Sequence, residues 1–125
     1  MGNNKYGSRK REYKGMVFDS GRELRRYQEL ELLLRAGKIA DLRRQVDFEL
    51  IPEQRGPDAL GPRGGRRRGR VLERSCHYVA DFVYTMPTNT GSKTIVEDAK
   101  GHRTKDYIIK RKLMLLIHGI RISEV

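Results

Sequence analysis

Apolar positions recur along this chain in two rhythms, and the rhythm changes at glycines, prolines and short polar caps. After a short strand-like MVFDS, the residues Leu24, Tyr27, Leu30 and Leu34 return at helical spacing. Ser20 suits an N-cap, Glu23 follows it in the pattern of a capping box, and Gly37 stands where helices commonly end. The spacing predicts a helix over Ser20–Ala36. Val46, Phe48 and Leu50 then alternate with Asp47 and Glu49 as far as Pro52, which predicts a strand over Leu42–Ile51.

The segment EQRGPDALGPRGGRRRGR, 53–70, has no periodicity and many Gly and Pro breakers, so it reads as a basic loop. HYVADFVYTM is apolar on both faces, as a central strand should be, and a turn at NTGSK pairs it with KTIVEDAK in a hairpin. Thr104 can cap a second helix, with Tyr107, Ile108 and Leu115 toward a core and Gly119 at its end; IRISEV alternates again as a last strand. The expected architecture is α/β, in the order α-β-β-β-α-β, with a mixed four-stranded sheet flanked by helices. Residues 16–125 make one domain, preceded by a flexible basic arm over 1–15.

A length of 125 residues suits a single modest core, and a formal net charge of +11 favours polyanionic partners, nucleic acid first. No apolar run approaches the roughly 20 residues of a membrane span, and the basic N-terminus lacks a signal core. No membrane partner and a cytoplasmic location are therefore expected. Cys76 is the single cysteine, which excludes an internal disulfide and a multi-cysteine zinc site. His77, His102 and His118 are isolated; His102 reads as a surface residue or a proton shuttle. No Ser-His-Asp arrangement and no phosphate-cradling glycine loop is visible.

The charges inside the apolar strands alter this bland picture. Asp98 and Lys100 are two residues apart and project from one face of a strand, with Glu97 on the other, where it reads as a solvated or arm-pairing residue. Asp81 interrupts Val79, Ala80, Phe82 and Val83, and a hairpin turn near Met86–Lys93 brings it level with Asp98. Two carboxylates so close repel unless a cation lies between them, and an oxygen-only ligand set suits Mg²⁺ or Mn²⁺. Gln45, on the first strand, can face the same place.

With Asp81, the Asp98-Ala99-Lys100 run and a preceding helix that carries Glu23, the chain resembles the PD-(D/E)XK nuclease superfamily. Within it the chain is similar to phage-encoded and archaeal-type Holliday junction resolvases, over FDSGRELRRYQELELLLRAGKI, YVADFVY, VEDAKG and GIRISEV. Ala80 stands where the motif has proline, and Asp98 where glutamate is frequent. The resemblance implies a restriction-endonuclease-like core and metal-dependent hydrolysis of DNA, most of all branched DNA, by a homodimer. It implies Glu23, Asp81, Asp98 and Lys100 as catalytic residues. Asp81, Asp98, the Ala99 carbonyl and Glu23 would hold the metal, and Lys100 would orient the attacking water.

Phosphate contacts are expected from Arg63, Arg66, Arg67, Arg68 and Arg70, from Lys5, Arg9, Lys10 and Arg11, and from Lys110 and Lys112 on the second helix. Two alternatives remain open at this stage. One is another activity of the same superfamily, such as nicking or repair; the other is a non-catalytic basic nucleic-acid-binding protein.

Overall fold

The computed structural model describes residues 9–100 and 102–125. Along these run β1 (Arg11–Tyr13), β2 (Met16–Phe18), α1 (Gly21–Arg35), β3 (Ala40–Ile51), β4 (Gln54–Arg55), β5 (Ala59–Leu60), β6 (Arg66–Arg67), β7 (Val71–Glu73), β8 (Cys76–Thr88), β9 (Gly91–Asp98), α2 (Lys105–His118) and β10 (Ser123–Glu124). The principal sheet is four-stranded, in the order β3-β8-β9-β10. Its first three strands pair antiparallel, while β10 pairs parallel to β9 after the α2 crossover, so the sheet is mixed as expected. The principal elements follow the order α-β-β-β-α-β.

Both helices begin where their caps dictate. The Ser20 hydroxyl accepts from the Glu23 N–H at 3.2 Å, and a Glu23 carboxylate oxygen accepts from the Asp19 N–H at 3.3 Å. The box thus closes one residue upstream of the usual place, which holds the Glu23 side chain back over the helix start. Thr104 accepts from the Tyr107 N–H at 3.1 Å, and α2 ends at Gly119 in the left-handed conformation.

The core has two parts, one on each face of the sheet. Ile95 and Ala99 of the β9 segment pack with Phe18, Leu30 and Phe82 beneath α1, whereas Val96 packs with Tyr107 and Met114 of α2. That alternation is the ordinary strand period. The two neighbouring strands break it. In β3, Leu42 belongs to the α1 side but Val46, Phe48 and Leu50 to the α2 side. In β8, Tyr78 and Ala80 face α2 while Phe82 and Tyr84 face α1. Arg44 pairs with Phe82 and Val46 with Ala80, so both strands change faces at the cross-strand pair Gln45 and Asp81. Gln45 has φ of 52°, a left-handed conformation that costs about 1–3 kcal/mol for a non-glycine residue. The strain therefore sits beside the aspartate that the sequence singles out.

Several expectations change. Residues 1–8, including Lys5, lie outside the described residues. The rest of the expected flexible arm is not free: β1 pairs with β2, and Tyr13 donates a hydrogen bond to Glu31 of α1 at 2.8 Å. Lys14 and Gly15, with φ of 51° and 78°, form the tight turn that makes this hairpin possible. The expected loop is built rather than irregular, since β4 pairs with β7 and β5 with β6. The long hairpin turns tightly at Asn89 and Thr90, because the pairing runs on to Thr88 and Gly91. The last strand shortens to Ser123–Glu124.

Candidate active site

The β8–β9 ladder ends at the pair Phe82 and Glu97, and Asp81 and Asp98 are the next residues of the two strands. Asp98 is 1% exposed. One of its oxygens accepts from the Tyr78 hydroxyl at 2.7 Å, while Oδ1 has no hydrogen-bond partner. Lys100 Nζ stands 4.0 Å from that orphan oxygen, too far for a hydrogen bond but close enough to favour its ionised form. Asp81 Oδ2 accepts from the Ala99 N–H at 2.8 Å, which ties the aspartate of β8 to the backbone between Asp98 and Lys100.

Glu23, 3% exposed, reaches this group from α1. The Gln45 side-chain amide donates to Glu23 Oε1 at 3.2 Å and, at a longer 3.4 Å, to Asp81 Oδ1. Gln45 is therefore the bridge between the helix and the sheet. Arg44 lies beside it with one nitrogen 3.7 Å from Glu23 and its guanidinium 3.9 Å above the Phe18 ring.

All three carboxyls are held above their ordinary range, each mainly by burial. Glu23 is pushed up from 4.5 to about 7, with Asp81 and Asp19 adding repulsion. Asp81 is raised by burial against the opposing pull of the Ala99 amide and Lys100. Asp98 is raised by burial, the Tyr78 hydrogen bond acts against this, and the Asp81 charge adds to it. Such a group disfavours its own ionised form and gains from any added positive charge.

The donor chemistry fits a hard divalent cation, with carboxylate and carbonyl oxygens and a buried carboxylate oxygen lacking a partner. Among the described residues, no three His, Cys, Asp or Glu side chains form a ready coordination shell. A cation here would thus lean on main-chain oxygen and water as well as on side chains.

Glu97, expected as a solvated or arm-pairing residue, is removed from this group and is instead buried against α1. It is 1% exposed, faces α1, and is clamped by Arg26 at 2.8 and 2.6 Å and by the Tyr84 hydroxyl. Its proximity in sequence to Asp98 is cancelled by the strand's alternation. Arg44 and Tyr78 went unnoticed in the sequence, because only pairing and packing bring them to Glu23 and Asp98.

Of the residues expected to touch phosphate, Arg63, Arg66, Arg67, Arg68 and Arg70 all lie exposed on the segment that carries β5 and β6. Arg9, Lys10 and Arg11 are exposed beside the first hairpin. Lys110 and Lys112 are two positions apart on α2, roughly 200° around the helix at 3.6 residues per turn, so they do not share one surface. His102 is exposed. A Ser-His-Asp chain does occur, contrary to expectation: His77 contacts Asp47 at 3.0 Å and Ser75 at 2.8 Å. It lies where β8 leaves the sheet and ties that root to β3.

The fold is that of an α/β domain with a mixed sheet and two helices, and among the described residues no helix is long and apolar enough to cross a membrane. A family model described as "Protein of unknown function (DUF1064)" matches residues 3–119, and the chain belongs to that family. No curated protein and no solved structure matches the chain significantly.

Proposed function

We propose that this protein is a metal-dependent DNA endonuclease of the PD-(D/E)XK kind, acting on branched DNA such as four-way junctions as a homodimer. The single observation that carries the reading is the convergence of Asp81, the Ala99 amide, Asp98 and Lys100 at the end of two paired strands, with Glu23 joined to them through Gln45. The element order and mixed sheet are those expected of a restriction-endonuclease-like core.

Asp81, Asp98 and the Ala99 carbonyl would hold Mg²⁺, or Mn²⁺ in its place, with Glu23 completing the shell directly or through water. The cation, when bound, would supply charge neutralisation at the scissile phosphate and a more acidic water. The chain's own groups do the rest. Tyr78 fixes the rotamer of Asp98 by its hydrogen bond. The amide of Ala99 fixes Asp81. Lys100, half exposed beside Asp98, is free to meet a phosphate oxygen and to orient a water for in-line attack. Glu23, pushed up to about 7 by burial and by the Asp81 charge, gains from an added cation, which favours its ionised form. The dimer is supported by the apolar side chains Ile109, Leu115, Leu116 and Ile117, which α2 leaves exposed.

The test is cleavage of a four-way junction, a flap, a nicked duplex and a linear duplex at one salt concentration. The expected result is Mg²⁺-dependent cutting with the junction preferred. Asp81→Asn should abolish cutting while leaving junction binding in Ca²⁺ nearly intact. Unchanged cleavage by that variant would discard the site, and equal cutting of all substrates would discard the junction preference. Binding without cutting by the wild type would leave a non-catalytic nucleic-acid-binding protein.

A further inference from the structure

The segment between β3 and β8 has an architecture that its function must explain. β4 pairs with β7 and β5 with β6, so residues 54–73 form a two-stranded ribbon leaving the sheet. The ribbon is fixed internally. Asp58 accepts from the Gly69 N–H at 2.8 Å and from Arg66 Nε at 2.6 Å, and Arg55 donates to the Gly69 carbonyl at 2.7 Å. At Gly69 a Cβ would fall 1.9 Å from the Gly56 carbonyl oxygen, so the two strands cross too closely for any side chain there.

This rigid ribbon carries charge that the protein itself leaves unused. Arg63, Arg67, Arg68 and Arg70 are exposed, and among the described residues none of their guanidinium groups makes an ion pair or a hydrogen bond. Among them stands Leu60, 79% exposed, paired across the ribbon with Arg66 and followed by a turn through Pro62 and Arg63 that the Gly64 N–H closes on the Gly61 carbonyl. An apolar side chain that far into solvent gains nothing in the free protein. A ribbon of two strands is narrow enough for a duplex groove, and apolar wedges flanked by arginine are a recurrent means of opening a base step.

We infer that residues 54–73 form a groove-entering arm, whose arginines straddle the phosphates of duplex DNA while Leu60 wedges into a base step. The inference rests on DNA as the partner proposed above, and it adds how that DNA is gripped and deformed. The arm's root at Cys76 lies five residues from Asp81 on β8, about 16 Å at the usual strand rise. That is close to half a turn of duplex, so the arm and the carboxylate site can engage one DNA segment.

The test uses the full chain in EDTA, where no cutting occurs. A set of duplexes and four-way junctions carries 2-aminopurine at successive positions. Fluorescence at one or two positions should rise several-fold on binding of the wild type. Leu60→Ala should abolish that rise while keeping the salt dependence of binding, and Leu60→Phe should restore it. Changing Arg63, Arg67, Arg68 and Arg70 to Ala should reduce the slope of log affinity against log salt by about 3 to 4. No fluorescence rise with the wild type, a rise that survives Leu60→Ala, or tighter binding to an RNA hairpin than to any DNA would each overturn the arm. Because cleavage is not read, failure of the nuclease proposal alone leaves these expected results in place.

Discussion

Glu23 is placed between two demands. Its backbone starts α1 and its carboxylate caps the residue before the cap, yet the same side chain is buried against Gln45 and near Asp81. Burial raises its pKa from 4.5 to about 7, which means that the folded protein holds a proton the unfolded chain would release. The corresponding stability is fully present below about 4.5 and is lost as pH rises through about 7. In EDTA, thermal melts should therefore show Glu23→Gln gaining on the wild type as pH rises from 5 to 8. A constant difference across that interval would mean that Glu23 is not the titrating group. At this scale, the charges Asp81, Asp98 and Lys100 were legible because each interrupts an apolar run. Gln45 was read as able to face the site, and it does contact Glu23 and Asp81. Arg44 and Tyr78 were not legible, because a neutral or basic residue on an alternating strand gives no signal until pairing sets it against a carboxylate. The contact of His77 with Ser75 and Asp47 was not legible either, because only the pairing of β3 with β8 brings Asp47 to the histidine.

Among the elements, the arm shows where pattern reading stops. Its strands are two or three residues long, too short for a period of two to register, and its Gly and Pro content mimics an irregular loop. What holds it together is tertiary: the Asp58 clamp and the approach of Gly69 to Gly56. Gly69→Ala should spring the arm open without unfolding the sheet. Limited proteolysis should then cut within 54–73 many times faster than in the wild type, while the thermal midpoint of the core stays nearly constant. Equal protection of the two proteins would show that the ribbon does not depend on that crossing. The helix ends, by contrast, were read nearly to the residue, because Ser20, Thr104 and Gly119 are local signals that act within one turn, whereas Leu115, expected toward the core, is exposed. The face change at Gln45 was not legible, since a strict alternation of Leu42, Arg44, Val46, Phe48 and Leu50 hides it completely.

For the whole molecule, charge and exposed apolar surface point in different directions. A net charge of +11 keeps free copies apart, whereas Leu116, 79% exposed on α2, and its neighbours favour association. DNA would relieve the repulsion and leave the apolar term. Sedimentation should give dimers at moderate salt, and Leu116→Glu should give monomers that remain folded. A wild-type monomer at all salts and in the presence of junction DNA would rule out the dimer. The α/β architecture and element order were readable at this scale because each principal element is long and strongly patterned.

If Asp81 and Asp98 together hold a divalent cation, calorimetric titration of Mn²⁺ into the protein alone at pH 8 should detect it. One site per chain is expected for the wild type. Asp98→Asn should abolish it although the fold persists, because the buried oxygen without a partner is then no longer a carboxylate. Undiminished Mn²⁺ binding by Asp98→Asn, or none by a folded wild type, would contradict a cation shared by the two aspartates.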